Sequence, residues 1–211
     1  MENRNNKKAI LYMTELALLS ALVVVLQLLG TFVKIGPLPM SLVLVPIVIG
    51  ACLLGIKAGA ILGLVFGIVT AVMGITGADG FSLILFEARP FWFIVLCLLK
   101  ATAAGFGAGV IYKALENPLG KNNKTLQTVI ASVSAPILNT GIFVLGMLVF
   151  YFDTLNALPT MFPDAFGGFN SGVKLLFLGL AGLNFVGELV VSLVLSPAIV
   201  RIVDIVKHRI K

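Results

Sequence analysis

Long apolar runs separated by short polar breaks constrain the fold of this chain more than any other feature. Six runs can be drawn, at 9–30, 40–56, 58–77, 90–114, 125–152 and 173–205. A membrane-spanning helix needs about 20 predominantly apolar residues, and most of these runs supply that number. The sequence therefore predicts an all-α integral membrane protein with six transmembrane helices, folded as a single domain over 1–211.

Charged residues are too scarce to coat a soluble fold. Of the 211 residues, 59% are hydrophobic and only 11% are charged, whereas soluble domains carry about 25% charged residues. This composition excludes an ordinary soluble enzyme, a nucleic-acid-binding module and a disordered tail.

The basic residues lie mainly on one side of the predicted spans. If both termini share a side with the loops at Lys57 and 113–124, that side holds eleven Lys and Arg residues. The opposite side holds three, Lys34, Arg89 and Lys174. Because short cytoplasmic loops carry the excess of Lys and Arg, we expect both termini to be cytoplasmic.

The sequence lacks the motifs of the common enzyme sites. Its only histidine, His208, lies in the basic C-terminal tail, so neither an HExxH zinc site nor a serine–histidine pair within the spans is available. Cys52 and Cys97 lie in apolar runs without CxxC spacing and are interpreted as buried hydrophobic residues. The segment closest to a nucleotide-binding P-loop, 115–122, lacks its first glycine and its final Ser or Thr. We therefore expect no catalytic residue, no metal and no ATP hydrolysis by this chain.

Small residues recur at every fourth position in three of the spans. They are Gly55, Gly59, Gly63 and Gly67 at the third span, Ala101, Gly105 and Gly109 in the fourth, and Ala17 and Ala21 in the first. Such stripes let two helix backbones approach closely. We interpret those of the third and fourth spans as internal packing faces. The pair in the first span would differ only if it faced outward to another protein.

Charged and amide side chains within the spans are the strongest functional signal. Lys100 lies about 10 residues into the fourth span, which places it about 15 Å deep. Asn139 lies near the centre of the fifth span, and Asn184 and Glu188 are one helical turn apart in the sixth. An intramembrane charge is costly unless it is paired or faces water, and it usually marks a functional site.

Two interpretations of these polar residues stay open. In the first, Lys100 and Glu188 form a structural ion pair. In the second, the polar groups line a pocket that opens to the outside of the membrane. Its mouth would then carry the side chains of Glu87, Arg89, Trp92 and Tyr151.

With these features, the chain resembles the substrate-binding S component of energy-coupling factor (ECF) vitamin transporters. The likeness covers nearly the whole chain: about 200 residues, six spans, both ends inside and an AxxxA pair in the first helix. It extends to the hydrophobic hairpin at 41–69, the sequence PILNT at 136–140, and NFVGE at 184–188 followed by LSPA at 195–198.

The resemblance implies a division of labour. Ala17 and Ala21 would dock to a transmembrane coupling protein that two ATPase subunits drive, with no cofactor in this chain itself. Residues 1–77 would form the docking half and 78–211 the substrate-binding half. Loops at 31–39, 78–89 and 153–172 would help to enclose a vitamin near the outer face of a prokaryotic plasma membrane, and release would follow toppling of the whole subunit.

The candidate substrate-binding residues are Glu87, Arg89, Trp92, Lys100, Asn139, Asn184 and Glu188. The basic side chains favour a carboxylate or another anion, and the amides and Glu188 suit hydroxyl and amide groups. Pantothenate carries all three, and the segments of spans five and six look most like the pantothenate-type branch of the family, so pantothenate ranks first. Riboflavin, pyridoxine, a pyrimidine and folate remain alternatives, as does a self-sufficient ion-coupled carrier that uses Lys100 and Glu188.

Overall fold

The computed structural model describes residues 2–30, 34–35, 38–39, 42–119 and 123–209. Helix α1 (Glu2–Gly30) is followed by a short antiparallel ribbon of β1 (Lys34–Ile35) and β2 (Leu38–Pro39). The remaining helices are α2 (Leu44–Leu54), α3 (Ile56–Ile75), α4 (Gly80–Ala88), α5 (Pro90–Ala114), α6 (Glu116–Leu119), α7 (Lys124–Phe150), α8 (Phe152–Met161), α9 (Pro163–Phe166), α10 (Gly172–Lys174) and α11 (Ala181–Arg209). A π-helical segment, Leu175–Leu180, joins α10 to α11.

Five helical segments in the described ranges are long and apolar enough to cross a membrane. They are Ala9–Gly30, Ile56–Ile75, Pro90–Ala114, Lys124–Phe150 and Gly172–Ile205. The prediction of a helical integral membrane protein is thereby confirmed. The second predicted span, 40–56, contains only the 11 residues of α2, fewer than the roughly 20 that a spanning helix needs. Residues 40 and 41 lie outside the described part of the chain, so six spans and the sidedness of the termini stay predictions.

Two segments that the sequence indicated as loops are largely helical. The segment 78–89 contains α4, and the Asp79 side chain caps that helix by accepting a hydrogen bond from the Ser82 N–H. The segment 153–172 contains most of α8 and all of α9. Glycine and proline predicted a loop at 153–172, but Pro163 lies in the first turn of α9. Backbone N–H groups of a first turn have no partner within the helix, so a proline at this position costs no hydrogen bond. Of the predicted loop at 31–39, only the ribbon residues are described.

Helices α3 and α5 pack backbone against backbone along their small residues. A Cβ atom added to Gly59 or Gly63 would collide with the carbonyl oxygen of Gly105 or Ala101, respectively. One added to Gly67 would lie 2.8 Å from the carbonyl oxygen of Cys97. The interpretation of these stripes as internal packing faces is confirmed.

Two apolar clusters form the buried core, one toward each end of the long helices. The first includes Tyr112 near the end of α5 and Ile199 near the end of α11. The second includes Phe93 near the start of α5, Met147 near the end of α7 and Leu175 at the start of the π-helical segment. Polar residues between these clusters lie on several neighbouring helices, and they form the site described below.

Replacing Gly63 by leucine should separate α3 from α5, because the new side chain would occupy the space of the Ala101 carbonyl. Overpacking a close contact costs about 1–3 kcal/mol, which corresponds to a fall in melting temperature of about 2–12 °C for a chain of this size. The loss should appear in thermal unfolding of the purified protein in detergent. The matched control is Gly141→Leu, since Gly141 is exposed in α7 and has open space around its Cα. Equal melting temperatures for the two variants would contradict the packing described.

Candidate ligand-binding site

A cavity lies between the two apolar clusters and is lined by residues of six helices, α1, α3, α4, α5, α7 and α11. Its polar lining consists of Gln27, Thr70, Asp79, Ser82, Lys100, Asn139, Thr140, Asn184 and Glu188. Phe66, Phe81, Phe93 and Phe143 supply aromatic surface. A concave site with apolar walls and a few converging polar groups is typical of small-molecule binding.

Glu188 is the centre of a hydrogen-bonded group at one side of this cavity. Its side chain is only 1% exposed. The amide of Asn184, one turn earlier in α11, donates to Glu188 Oε1 at 3.1 Å. The amide of Asn139 on α7 donates to both carboxylate oxygens at 3.4 Å. The carboxylate therefore ties α7 to α11 at the depth of the cavity.

Two buried oxygens beside this group have no hydrogen-bond partner among the described residues. They are Asn139 Oδ1 and Thr140 Oγ1, and both side chains line the cavity. Asn139 is 4% exposed. A buried polar atom without a partner costs about 1–3 kcal/mol. Such atoms facing a cavity indicate a place where hydrogen-bond donors of a ligand can bind.

Lys100 faces the cavity from α5 and lies over an aromatic ring. Its Nζ is 5.1 Å from the ring centroid of Phe143, a distance typical of a cation–π contact. In the described part of the chain, an ion pair joins Lys124 to Asp204, and none joins Lys100 to Glu188. Of the two interpretations from the sequence, the structure thus favours a pocket over a direct Lys100–Glu188 pair.

Four of the seven predicted site residues line this cavity, namely Lys100, Asn139, Asn184 and Glu188. The other three do not. Glu87 and Arg89 are exposed, and the backbone carbonyl of Arg89 accepts a hydrogen bond of 2.9 Å from the Tyr151 hydroxyl. Trp92 stacks on Phe150 with ring centroids 3.8 Å apart.

Sequence reasoning missed several polar residues at the other side of the cavity. Gln27 on α1 donates to Thr70 Oγ1 on α3 at 3.3 Å. Asp79 and Ser82, at the start of α4, also line the cavity. Gln27 is the only amide in the run 9–30, so the rule that selected Asn139 could have found it. The Asp79 turn carries no signal that distinguishes it from an ordinary loop.

The face of α1 that carries Ala17 and Ala21 points away from the rest of the structure. Both residues are exposed, and so are the neighbouring Met13, Leu18 and Val25. This placement meets the condition under which the pair could contact another protein. Docking itself stays a prediction.

A family model described as "ECF transporter, substrate-specific component" matches residues 11–200. Among curated proteins, the chain is similar to "Pantothenic acid transporter PanT" of Lactococcus lactis subsp. cremoris (strain MG1363). The two are 24% identical over 196 residues, which cover 88% of this chain and 89% of the relative.

Glu188→Leu should destabilise the protein, because the amides of Asn139 and Asn184 would lose their buried acceptor. Each unsatisfied buried group costs about 1–3 kcal/mol. Glu188→Gln retains an acceptor oxygen of similar reach and should lose less stability. Thermal unfolding in detergent without added ligand compares the two variants. A leucine variant as stable as the wild type would show that the group contributes nothing to the fold.

Proposed function

Because the chain belongs to the family of substrate-specific components of ECF transporters, we propose that it is the subunit of such an importer that binds pantothenate. The observation that carries the ligand assignment is the composition of one cavity. It combines a cation, Lys100, with the unpartnered acceptors Asn139 Oδ1 and Thr140 Oγ1. The relative from Lactococcus lactis, which is named as a pantothenic acid transporter, supports the same ligand.

The chemistry of pantothenate matches these groups. Its carboxylate would bind the Lys100 ammonium, since charge-assisted hydrogen bonds are the strong ones. Its amide N–H and hydroxyl groups would donate to Asn139 Oδ1 and Thr140 Oγ1. Its methyl groups would pack against rings such as Phe66 and Phe143, which line the same space.

Asn184 and Glu188 would form the other polar wall of this proposed binding site. Glu188 already accepts hydrogen bonds from the amides of Asn139 and Asn184. It would thereby hold the Asn139 side chain in place and leave the Oδ1 atom of Asn139 free to accept from the ligand. Glu87, Arg89 and Trp92 lie outside the cavity lining. In the proposed function they act only at the outer mouth, where a ligand would pass.

Uptake would require further subunits. We propose that the exposed face around Ala17 and Ala21 docks to a transmembrane coupling protein, and that two ATPase subunits drive transport. The absence of a P-loop sequence from the chain agrees with this division. The proposal includes six spans, cytoplasmic termini, a prokaryotic plasma membrane and no enzymatic activity of the chain itself.

A thermal-shift screen of the purified protein against water-soluble vitamins, without ATP, tests this function. A ligand that binds only the folded state stabilises it by about 4.1 kcal/mol at 1,000 times its Kd. We expect pantothenate to raise the melting temperature more than riboflavin, pyridoxine, thiamine-type pyrimidines or folate. A larger shift with another vitamin would correct the ligand, and no shift with any of them would overturn the proposed vitamin-binding role.

Lys100→Met should weaken pantothenate binding about 10- to 100-fold, because one charge-assisted contact to the carboxylate is lost. Isothermal titration in detergent measures the dissociation constant. The neutral analogue pantothenol, whose carboxylate is replaced by an alcohol, should bind the variant and the wild type equally. Lys113→Met is the matched control, since Lys113 is exposed near the other end of the same helix. If Lys100→Met also left pantothenate affinity unchanged, the carboxylate would bind elsewhere.

A further inference from the structure

Asp79 presents a second carboxylate to the cavity, from the turn between α3 and α4. Its side chain is 7% exposed, and it lies among the residues that line the cavity. Its Oδ2 accepts hydrogen bonds from the N–H of Ser82, at 3.3 Å, and from the Ser82 hydroxyl. Its Oδ1 accepts none from the described residues. The turn therefore holds the carboxylate in place and leaves one oxygen available.

Asp79 and Lys100 lie at different depths in the cavity. Asp79 lies in the turn between α3 and α4, and its partner Ser82 lies with Phe93 beside Gly74, near the end of α3. Lys100 lies 7 residues after Phe93, about 10 Å farther along α5. Among the described lining residues, Lys100 is the only cation. The cavity thus has a carboxylate beside the turn that follows α3 and a cation about two helical turns away along α5.

This charge pattern restricts how a ligand with one anionic end can be oriented in the cavity. Inside a membrane protein the effective permittivity is low, so that each charge acts more strongly than it would in water. An anionic group is attracted toward Lys100 and repelled near Asp79. A hydroxyl group, in contrast, can donate to the available Oδ1 of Asp79.

We propose that Asp79 is a specificity-determining residue of the site. It accepts a hydrogen bond from a hydroxyl at the end of the ligand remote from its carboxylate, and it excludes ligands that carry a second anion there. The inference rests on the proposed function. For pantothenate the excluded class is the phosphate monoester of its primary hydroxyl, because phosphorylation removes the donor and adds about 1.5 to 2 negative charges. Specificity of this kind uses repulsion as well as attraction.

Titration of Asp79→Asn with pantothenate and with this phosphate ester tests the inference. Asparagine caps helices as well as aspartate does, so the variant removes the charge and keeps the turn. In the wild type, the ester should bind at least about 100-fold more weakly than pantothenate. In Asp79→Asn, pantothenate should bind about tenfold more weakly, since a hydrogen bond to a charged acceptor is lost. The ratio of the ester's dissociation constant to that of pantothenate should therefore be smaller in the variant than in the wild type, by about tenfold or more.

Asp153→Asn is the matched control, because it removes an exposed carboxylate at the start of α8, outside the cavity lining. It should leave both affinities unchanged. If Asp79→Asn failed to fold, Asp79→Ser, which also caps a helix, would carry the same expectation. A wild type that bound the ester as tightly as pantothenate, or an Asp79→Asn variant with unaltered preference, would overturn the inference and leave the proposed function intact. A wild type that bound pantothenate at no concentration tested would overturn both.

Discussion

The close backbone contact between α3 and α5 determines where the cavity can form. Gly59, Gly63 and Gly67 each lie against a backbone carbonyl of α5. Beyond Gly67 this contact ends, and Thr70 and Met73 of α3 line the cavity together with Phe66. Side chains then fill the interface, as Phe93 does beside Gly74. The cavity therefore lies at the end of the glycine stripe, where side chains replace the backbone contact between α3 and α5.

Within the cavity, polar groups divide into those that the fold satisfies and those that it leaves available. Glu188 accepts hydrogen bonds from two amides and is nearly inaccessible. Asn139 takes part in both classes, since its Nδ2 donates to Glu188 while its Oδ1 has no partner among the described residues. A buried polar atom that has its hydrogen-bond partners orients the neighbouring side chains. A buried polar atom without a partner is suited to bind a ligand. The same amide thus links the stability of the fold to the chemistry of the site.

Much of the helical layout and the deep part of the site could be predicted from the sequence. The predicted span 90–114 coincides with α5, because Pro90 suits a first turn and the polar residues Glu116 and Asn117 follow shortly after Ala114. Lys100, Asn139 and Glu188 stood out because polar residues are rare in apolar runs. Arg89 is exposed and does not line the cavity, so its expected place at the pocket mouth stays a prediction. Asp79 was missed because its place depends on how α4 packs beside α3, a tertiary contact that no local pattern encodes.

The need to shield polar groups from lipid explains why the cavity is lined by residues from both sides of the predicted boundary between residues 77 and 78. Polar groups at membrane depth must face protein or water on all sides, because lipid can neither hydrogen-bond them nor stabilise their charge. The polar residues of α5, α7 and α11 form only part of such a wall. Helices α1 and α3 close it, and the hydrogen bond from Gln27 to Thr70 joins them at the cavity. Helix α1 is exposed along the face of Ala17 and Ala21 yet contributes a buried amide to the site. The cavity lining therefore takes residues from both predicted halves of the chain, while docking by residues 1–77 and substrate binding by 78–211 stay predictions.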